Sequence, residues 1–510
     1  MLRGLRNFSR LVRIAVTLAR HDALIPVNGF TPPRPALWIA AWLRRRDVKP
    51  RPGQRLAAAL IELGPSFIKL GQALSIRPDI VGDEVAADLS DLQDRLPPFP
   101  AARARATVEA GLGHPIESFF QEFDEEPIAA ASIAQVHFAV TTDGADVAVK
   151  ILRPGIEARL AEDLDLFLWL AERIERHAPH LRRLKPIEVV RTLEETVRTE
   201  MDLRLEAAAA SELAENFAGD PDFRVPRVDW SRTNRRVLTL ERISGIPVDE
   251  REALIEAGHD PQEIVGKAAR AFFKQVFRDG FFHADLHPGN IFVAPDGVLV
   301  AVDFGIMGRL DQRTRFYLAD MLLGFLNGDY RTVADVHFHA GYVPATQSVG
   351  AFTQAARAIA EPIFERPLNE ISLARLLAQL FQVTEQFQME TQPQLLMLQK
   401  SMLVCEGVGR RLCPDVNMWT LARPLIEEWM GGNRGVEARA RHAAAEALAR
   451  IEALPAFLAN LEKSVALLAN GGLRLHPDSL GALNRRRGWT AWPWIALALA
   501  SAAVIVAVAA

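Results

Sequence analysis

The sequence predicts an α+β fold, with a helical extension ahead of it and a C-terminal transmembrane helix after it, on three observations. Two short hairpins, over residues 136–152 and 291–302, are separated and followed by long stretches with helical apolar spacing. Apolar residues make up 49% of the 510, enough for more than one core. Residues 491–510 carry no charge at all. Composition also removes some classes. A net charge of −4 excludes a general nucleic-acid binder, whose domain would carry a strong basic excess. Cys405 and Cys413 are too few for a disulfide framework and lack metal-site spacing, which fits a reducing compartment. Lysine is scarce, 8 residues among the 59 basic ones, so a lysine inside a motif is informative; Lys69 and Lys150 stand out.

Residues 1–49 form a basic amphipathic N-terminal segment. The first twenty positions hold no acidic residue, and a helical wheel puts Arg3, Arg6, Arg10, Arg13 and Arg20 on one side, Leu5, Phe8, Val12, Val16 and Ala19 on another. Such a helix lies on an anionic membrane surface or docks on its own protein; a transit peptide is the less favoured third reading. Residues 50–115 read as a helical extension broken at Gly64-Pro65, Arg77-Pro78 and Pro97-Pro98. Within it Lys69 and Gln72 share a helix face, and Gly71 lets another backbone come close. By spacing alone this is a solvated polar face with a packing glycine.

Residues 116–245 hold the first hairpin and a helical insert. An alanine-rich run, Ala129-Ala130-Ala131-Ser132, leads into a strand at 136–140; the chain turns at Asp143-Gly144 and returns as Val147-Ala148-Val149-Lys150-Ile151-Leu152. A lysine among apolar strand neighbours needs a partner, because buried charges are rarely left unpaired. Residues 156–216 read as long helices, in which Asp202 and Glu206 are one turn apart and share a face. A strand at 237–243 then closes at Gly245.

Residues 246–480 carry the densest chemistry, HADLHPGN at 283–290 and Asp303-Phe304-Gly305, joined by the second hairpin. Ala294-Pro295-Asp296-Gly297 supplies its turn, so Asn290 and Asp303 are brought together. Two carboxylates and an amide are hard oxygen ligands suited to Mg²⁺, with one group left to orient a nucleophile. Apolar-periodic helices fill 311–470 without a second catalytic constellation, and His337 and His339 read as local structure rather than metal ligands. No GxGxxG follows a strand, which argues against a flavin-dependent hydroxylase.

In order along the chain, VAVK, HADLHPGN and DFG resemble the nucleotide-contacting strand, catalytic loop and metal-binding motif of protein kinases. The fuller set FIKLGQ, AAASIAQVH, VAVK, TEMDLRLEA, HADLHPGN and DFG is similar to that of the UbiB, or ABC1, family of atypical kinase-like proteins, over residues 55–420 and including EGVGRRLCPD at 406–415. The resemblance implies a protein-kinase-like bilobal fold, ATP or ADP with Mg²⁺ as cofactors, and support of ubiquinone biosynthesis. It implies that Lys69, Gly71 and Gln72 are the family's KxGQ motif on an extension folded over the active site. Ala129, Ala130, Ala131 and Ser132 would be its nucleotide loop, Lys150 would pair with Glu206, and Glu200 and Asp202 would lie near the nucleotide. Asp285 would be the catalytic aspartate, Asn290 and Asp303 the metal ligands, and the backbone near Glu241 to Ile243 the adenine contact.

The departures from ordinary kinases change the expected task. The alanine-rich loop replaces a glycine-rich one and is less permissive of positive φ. Ala284 stands where HRD has arginine, and only six residues, 306–311, separate DFG from the next helical pattern. ATP hydrolysis, or phosphoryl transfer to a small or lipid-like acceptor, is therefore expected over general protein phosphorylation. A nucleotide-gated, non-catalytic scaffold is the alternative, and a kinase acting on a protein or small molecule of the same pathway is another. Expected partners are membrane lipid, quinone-precursor lipids and ubiquinone-biosynthesis proteins, with a second copy of the chain as a further candidate and no nucleic acid. Residues 489–510 form the anchor: the uncharged stretch reaches about 30 Å at about 1.5 Å per residue. Trp489, Trp492 and Trp494 suit an interfacial belt, and Arg485, Arg486 and Arg487 belong on the cytoplasmic side. The expected location is the bacterial inner membrane with the kinase-like part cytoplasmic, or else the mitochondrial inner membrane.

Overall fold

The computed structural model describes residues 2–23, 51–75, 81–177, 185–361 and 393–434, apart from positions 91, 93–95 and 415–417, together with a few positions between 383 and 389. The chain divides into a unit of residues 1–430 and one of residues 431–510; nearly everything described belongs to the first. The transmembrane expectation for 489–510 lies outside the described residues. Among the described residues no helix is long and apolar enough to cross a membrane.

Among the described residues, the helices ahead of the first sheet are α1 (Leu2–Arg20), α2 (Pro52–Leu63), α3 (Pro65–Ser75), α4 (Asp83–Ser90) and α5 (Ala101–Leu112). Helix α1 is docked on the protein, since Arg10 Nη2 sits 2.6 Å from Asp163 Oδ1. The wheel drawn from the sequence is wrong in detail. Arg10 turns inward to this partner, while Val12, assigned to the apolar face, is 47% exposed. Buried Asp163 draws Arg10 inward, and Ala19 of the apolar side is buried as well.

The first sheet contains β1 (Phe120–Phe123), β2 (Ala129–Ala130), β3 (Ala134–Thr141), β4 (Asp146–Leu152) and a later strand, β6 (Val237–Glu241). Strand β4 lies between β3 and β6, antiparallel to both, with Lys150 opposite Val136 and Leu238. Side chains alternate across a sheet, so Val147, Val149 and Ile151 pack into one core with Val108 of α5, and Lys150 faces the other way. The helical insert is α6 (Ile156–His177), α7 (Pro186–Glu200) and α8 (Leu203–Asn216).

The second lobe has a small sheet in which β10 (Leu299–Ala301) is flanked by β5 (Phe223–Arg224) and β9 (Ile291–Val293), with β7 (Ile246–Pro247) at the edge beyond β9. Strand β8 (Phe281–His283) pairs with β11 (Met307–Arg309). Around them run α9 (Arg251–Glu256), α10 (Pro261–Phe273), α11 (Gln312–Leu326), α12 (Tyr330–His339), α13 (Val349–Ala360), α14 (Pro393–Leu412) and α15 (Met418–Arg434). Their core joins Phe272, Phe281, Phe282, Phe304, Leu398 and Leu412. His337 is local structure: its Nδ1 lies 2.7 Å from Val333 O, and its ring packs on Phe352.

Candidate active site

Strand β4 delivers Lys150 to the cleft, and helix α8 delivers its partner. Lys150 Nζ lies 2.7 Å from Glu206 Oε1 and 3.1 Å from Asp303 Oδ1. Helix α8 begins where it does because Asp202 caps it, its Oδ1 accepting from Arg204 N at 3.2 Å. The expectation that Asp202 and Glu206 share a helix face is corrected by this. Asp202 sits outside the helical backbone and its carboxylate is also held by the Arg204 guanidinium, at 2.9 Å and 2.6 Å, while Glu206 points to Lys150. Capping competes with helical spacing because an acceptor at the N-cap satisfies an otherwise unpaired N–H.

One ammonium faces two carboxylates, so the triad carries a net negative charge. Burial alone would lower the Lys150 pKa, but Asp303 and Glu206 outweigh it and raise it. Burial raises the Glu206 carboxyl to about 7, against the pull of Lys150. Burial also works against Asp303, yet the Lys150 charge wins and holds that carboxyl well below its usual range. The difference between the two acids follows their surroundings. The Glu206 side chain is 6% exposed, that of Asp303 48%.

The hairpin behaves as its turn residues dictate. Ile291 pairs with Ala301, Gly297 adopts φ 78°, and Val302 N donates to Asn290 O at 2.8 Å, which draws Asp303 alongside the loop of residues 283–290. Asn290 Nδ2 donates to Asp285 O at 3.1 Å, leaving Oδ1 as the oxygen available to a cation. Asp303 itself has φ 64°, a region that costs an L-residue energy and tends to persist at functional sites. Behind the loop, fully buried His283 accepts from Asp285 N at 3.2 Å and packs on Phe304. Burial lowers its pKa more than the nearby Asp285 and Asp303 raise it, so the ring is neutral.

The alanine-rich run is braced from outside. Arg153 donates to Ala131 O at 2.8 Å and to Pro97 O at 3.0 Å, and Leu96 N donates to Ala130 O at 3.2 Å. Buried Gln135 exchanges hydrogen bonds with the backbone of Phe99, at 3.0 Å and 3.3 Å. Segment 96–99 of the extension thus holds Ala129, Ala130 and Ala131 in place, without any positive φ among them. At the hinge, Glu241 N donates to Arg227 O and Arg242 N to Asp146 O, leaving the Ile243 amide free among the described residues. Gly245 follows because a Cβ there would come 2.8 Å from Val293 O.

Lys69 does not join the Lys150 triad. Its Nζ pairs with Glu200 Oε2 at 2.8 Å, both side chains under 10% exposed, so these two expected nucleotide-binding residues meet each other. Gln72, one turn on, is half-buried. Gly71 admits side chains rather than a backbone: a Cβ there would lie 2.7 Å from Leu60 Cδ1 and Leu92 Cδ2.

One site residue escaped the sequence reading. Lys400 of α14 places Nζ 2.7 Å from Asp285 Oδ1, and its neighbour Ser401 donates to His283 O at 3.2 Å. The available signal was composition: a scarce lysine at the centre of the apolar-periodic helix over 394–404.

The ABC1 atypical kinase-like domain matches residues 91–337, and the UbiB helical domain matches residues 356–417, which include Lys400. A protein of Marinobacter nauticus named "Probable protein kinase UbiB" is 45% identical over 431 residues, covering 83% of this chain and 79% of the relative. One of the same name from Azotobacter vinelandii is 44% identical, over 82% and 80%. Among solved structures, Rv3197 of Mycobacterium tuberculosis, in complex with erythromycin, is 28% identical with a TM-score of 0.52, covering 72% of this chain and 93% of that one. With the kinase-like site built on the motifs that led to it, the chain belongs to the UbiB family of ABC1 atypical kinase-like proteins.

Proposed function

We propose that the protein is a membrane-associated kinase-like ATPase that supports ubiquinone (coenzyme Q) biosynthesis, using Mg-ATP to open access to lipid-like quinone precursors or to organise proteins around them. The observation that carries this reading is the short path after Gly305. Strand β11 ends at Arg309, Asp311 caps α11 by accepting from Thr314 N at 2.7 Å, and so little chain lies between that a protein substrate has no segment to dock on. Without such a segment, water or a small acceptor is the favoured recipient of the phosphoryl group.

The residues fit a magnesium nucleotide. Asn290 Oδ1 and the half-exposed Asp303 carboxylate are hard oxygen donors, and Mg²⁺ is usually held by one or two such protein ligands plus substrate phosphates. Among the described residues there is no cluster of three or more His, Cys, Asp or Glu, which suits Mg²⁺ better than a transition metal. The Ser132 hydroxyl is fully buried without a partner among the described residues, beside the alanine run that would approach the phosphates. Ile243 N–H is the hinge donor for adenine, and Lys150, held by Glu206, would meet the phosphates. Bound Mg²⁺ would neutralise charge on the transferring phosphoryl group. Asp285 orients the acceptor oxygen. The uncharged sequence of residues 489–510, with Trp489, Trp492 and Trp494 in it, supports placing the chain at the bacterial inner membrane.

The test is ATPase turnover of the purified full chain with and without lipid vesicles and quinone-precursor mimics, beside Asp303→Asn. Lipid-stimulated turnover that disappears in Asp303→Asn is the expected result. Turnover indifferent to Asp303→Asn belongs to a contaminant and defeats the proposal. Efficient transfer to a defined protein without ATPase turnover makes the protein a protein kinase. Full restoration of quinone synthesis by Asp285→Asn makes it a nucleotide-gated scaffold.

A further inference from the structure

We infer that Lys400, supplied by the helical domain, is a positioning residue for Asp285, so that the catalytic carboxylate is aimed by a part of the chain outside the ABC1 domain. The inference rests on the phosphoryl-transfer reading of the site. Asp285 takes hydrogen bonds on its backbone carbonyl from Asn290 Nδ2 and His287 N, which set the loop but leave the carboxylate unaddressed. The residue before it is Ala284, buried and without a polar group. Among the described residues, Lys400 Nζ at 2.7 Å is the cation placed on that carboxylate, 115 positions away in sequence.

The helix that carries it is fastened to the lobe on both sides of the lysine. Ser401, fully buried, bonds His283 O, and Leu398, Val408 and Leu412 lie in the same core as Phe282 and Phe304. At the far end Arg251 Nε donates to Leu412 O at 2.9 Å, and Arg411 pairs with Asp249 at 3.1 Å. A lone ion pair with both side chains 36% exposed is commonly of little consequence for stability. Here its consequence is geometric. With Oδ1 held by Lys400, Oδ2 is left to accept the proton of the attacking hydroxyl or water. In that step the acceptor oxygen bonds the γ-phosphorus, the bond from phosphorus to the β–γ bridging oxygen breaks, and ADP leaves with the electron pair. A base misplaced by about 1 Å loses about a hundredfold in rate.

Lys400→Met, Lys400→Arg, Asp285→Asn and the Lys400→Met/Asp285→Asn double variant decide the matter in the full chain. Expected are a fall in kcat of about a hundredfold for Lys400→Met, with KM for ATP, MgADP affinity and melting temperature within about twofold or a degree or two of wild type, and partial recovery in Lys400→Arg. In the Asp285→Asn background, Lys400→Met should have no further effect on kcat, because the lysine acts through that carboxylate. A merely structural lysine would lower stability or nucleotide affinity instead, and that result overturns the inference. So does a kcat for Lys400→Met within about threefold of wild type. Absence of turnover in the wild type overturns the ATPase reading and this inference together, whereas wild-type turnover that survives in Lys400→Met overturns this one alone.

Discussion

Glu206→Gln tests whether one lysine really serves two carboxylates, one buried and one half-exposed. Lys150 holds Glu206 at 2.7 Å and Asp303 at 3.1 Å, and the surplus negative charge favours uptake of one proton, which falls on the more deeply buried acid. Burial puts that carboxyl at about 7, above its ordinary 4.5. A native pKa raised above the unfolded value contributes stability that is fully present below about 4.5 and lost as pH rises through about 7. At pH 8 almost none of it remains, and at pH 6 it has grown to about 1.4 kcal/mol, the equivalent of one pKa unit. Glutamine cannot titrate, so the wild type should gain about 1.4 kcal/mol on the variant between pH 8 and pH 6. Buried His137 and His283 and half-buried His337, whose pKa values desolvation lowers, weaken both proteins alike as pH falls and cancel in the difference. The assay is urea unfolding of each full chain at pH 6, 7 and 8, followed by tryptophan fluorescence. A stability difference that stays flat across this range, or that favours the variant at pH 6, refutes the shared-lysine account.

Two further outcomes follow from the same structure. Asp202→Ala removes the cap of α8 and should cost about 0.5–2 kcal/mol in urea unfolding, with Asp202→Asn recovering most of it, because either side chain can accept from a helix N–H. Equal losses in the two variants would show that the Arg204 ion pair matters more than the cap. Burial pushes the Cys405 thiol up to about 12, so Cys405 should resist iodoacetamide at pH 8 in the native chain and react once unfolded, read by mass spectrometry. Native labelling at the unfolded rate would contradict its packing.

Much of the site was legible because its chemistry is written in short windows. Asp296-Gly297 marks a tight turn, so the Asn290–Asp303 hairpin could be drawn without coordinates. A lysine in the apolar strand 147–152 had to have an acidic partner, and Glu206 is that partner. Other readings failed where two local rules competed. Asp202 and Glu206 have helical spacing, but an Asp at the start of a helix is drawn to the cap. Arg10 lies on the polar side of the α1 wheel, but Asp163, 153 positions later, turns it inward. Gly71 reads as a place for backbone approach, and the space is taken by Leu60 and Leu92. For Arg10 and Gly71 the deciding groups lie beyond the reach of a helical period, whereas for Asp202 the deciding group is the Arg204 N–H two residues on.

The same boundary separates what the chain encodes locally from what folding adds. By itself the sequence determined the α+β class, the two hairpins, the long helices of 156–216 and the family. These follow from periods of 2 and 3.6 residues, turn chemistry and ordered motifs. The resemblance already implied the Lys150–Glu206 pair; only the tertiary structure decided which other charges meet. Lys150 also reaches Asp303 153 residues away, Lys69 closes on Glu200, and Lys400 reaches Asp285 across 115 residues. A charge pattern specifies that a buried ion needs a partner, whereas the identity of the partner depends on how sheets and helices stack, which no local spacing records.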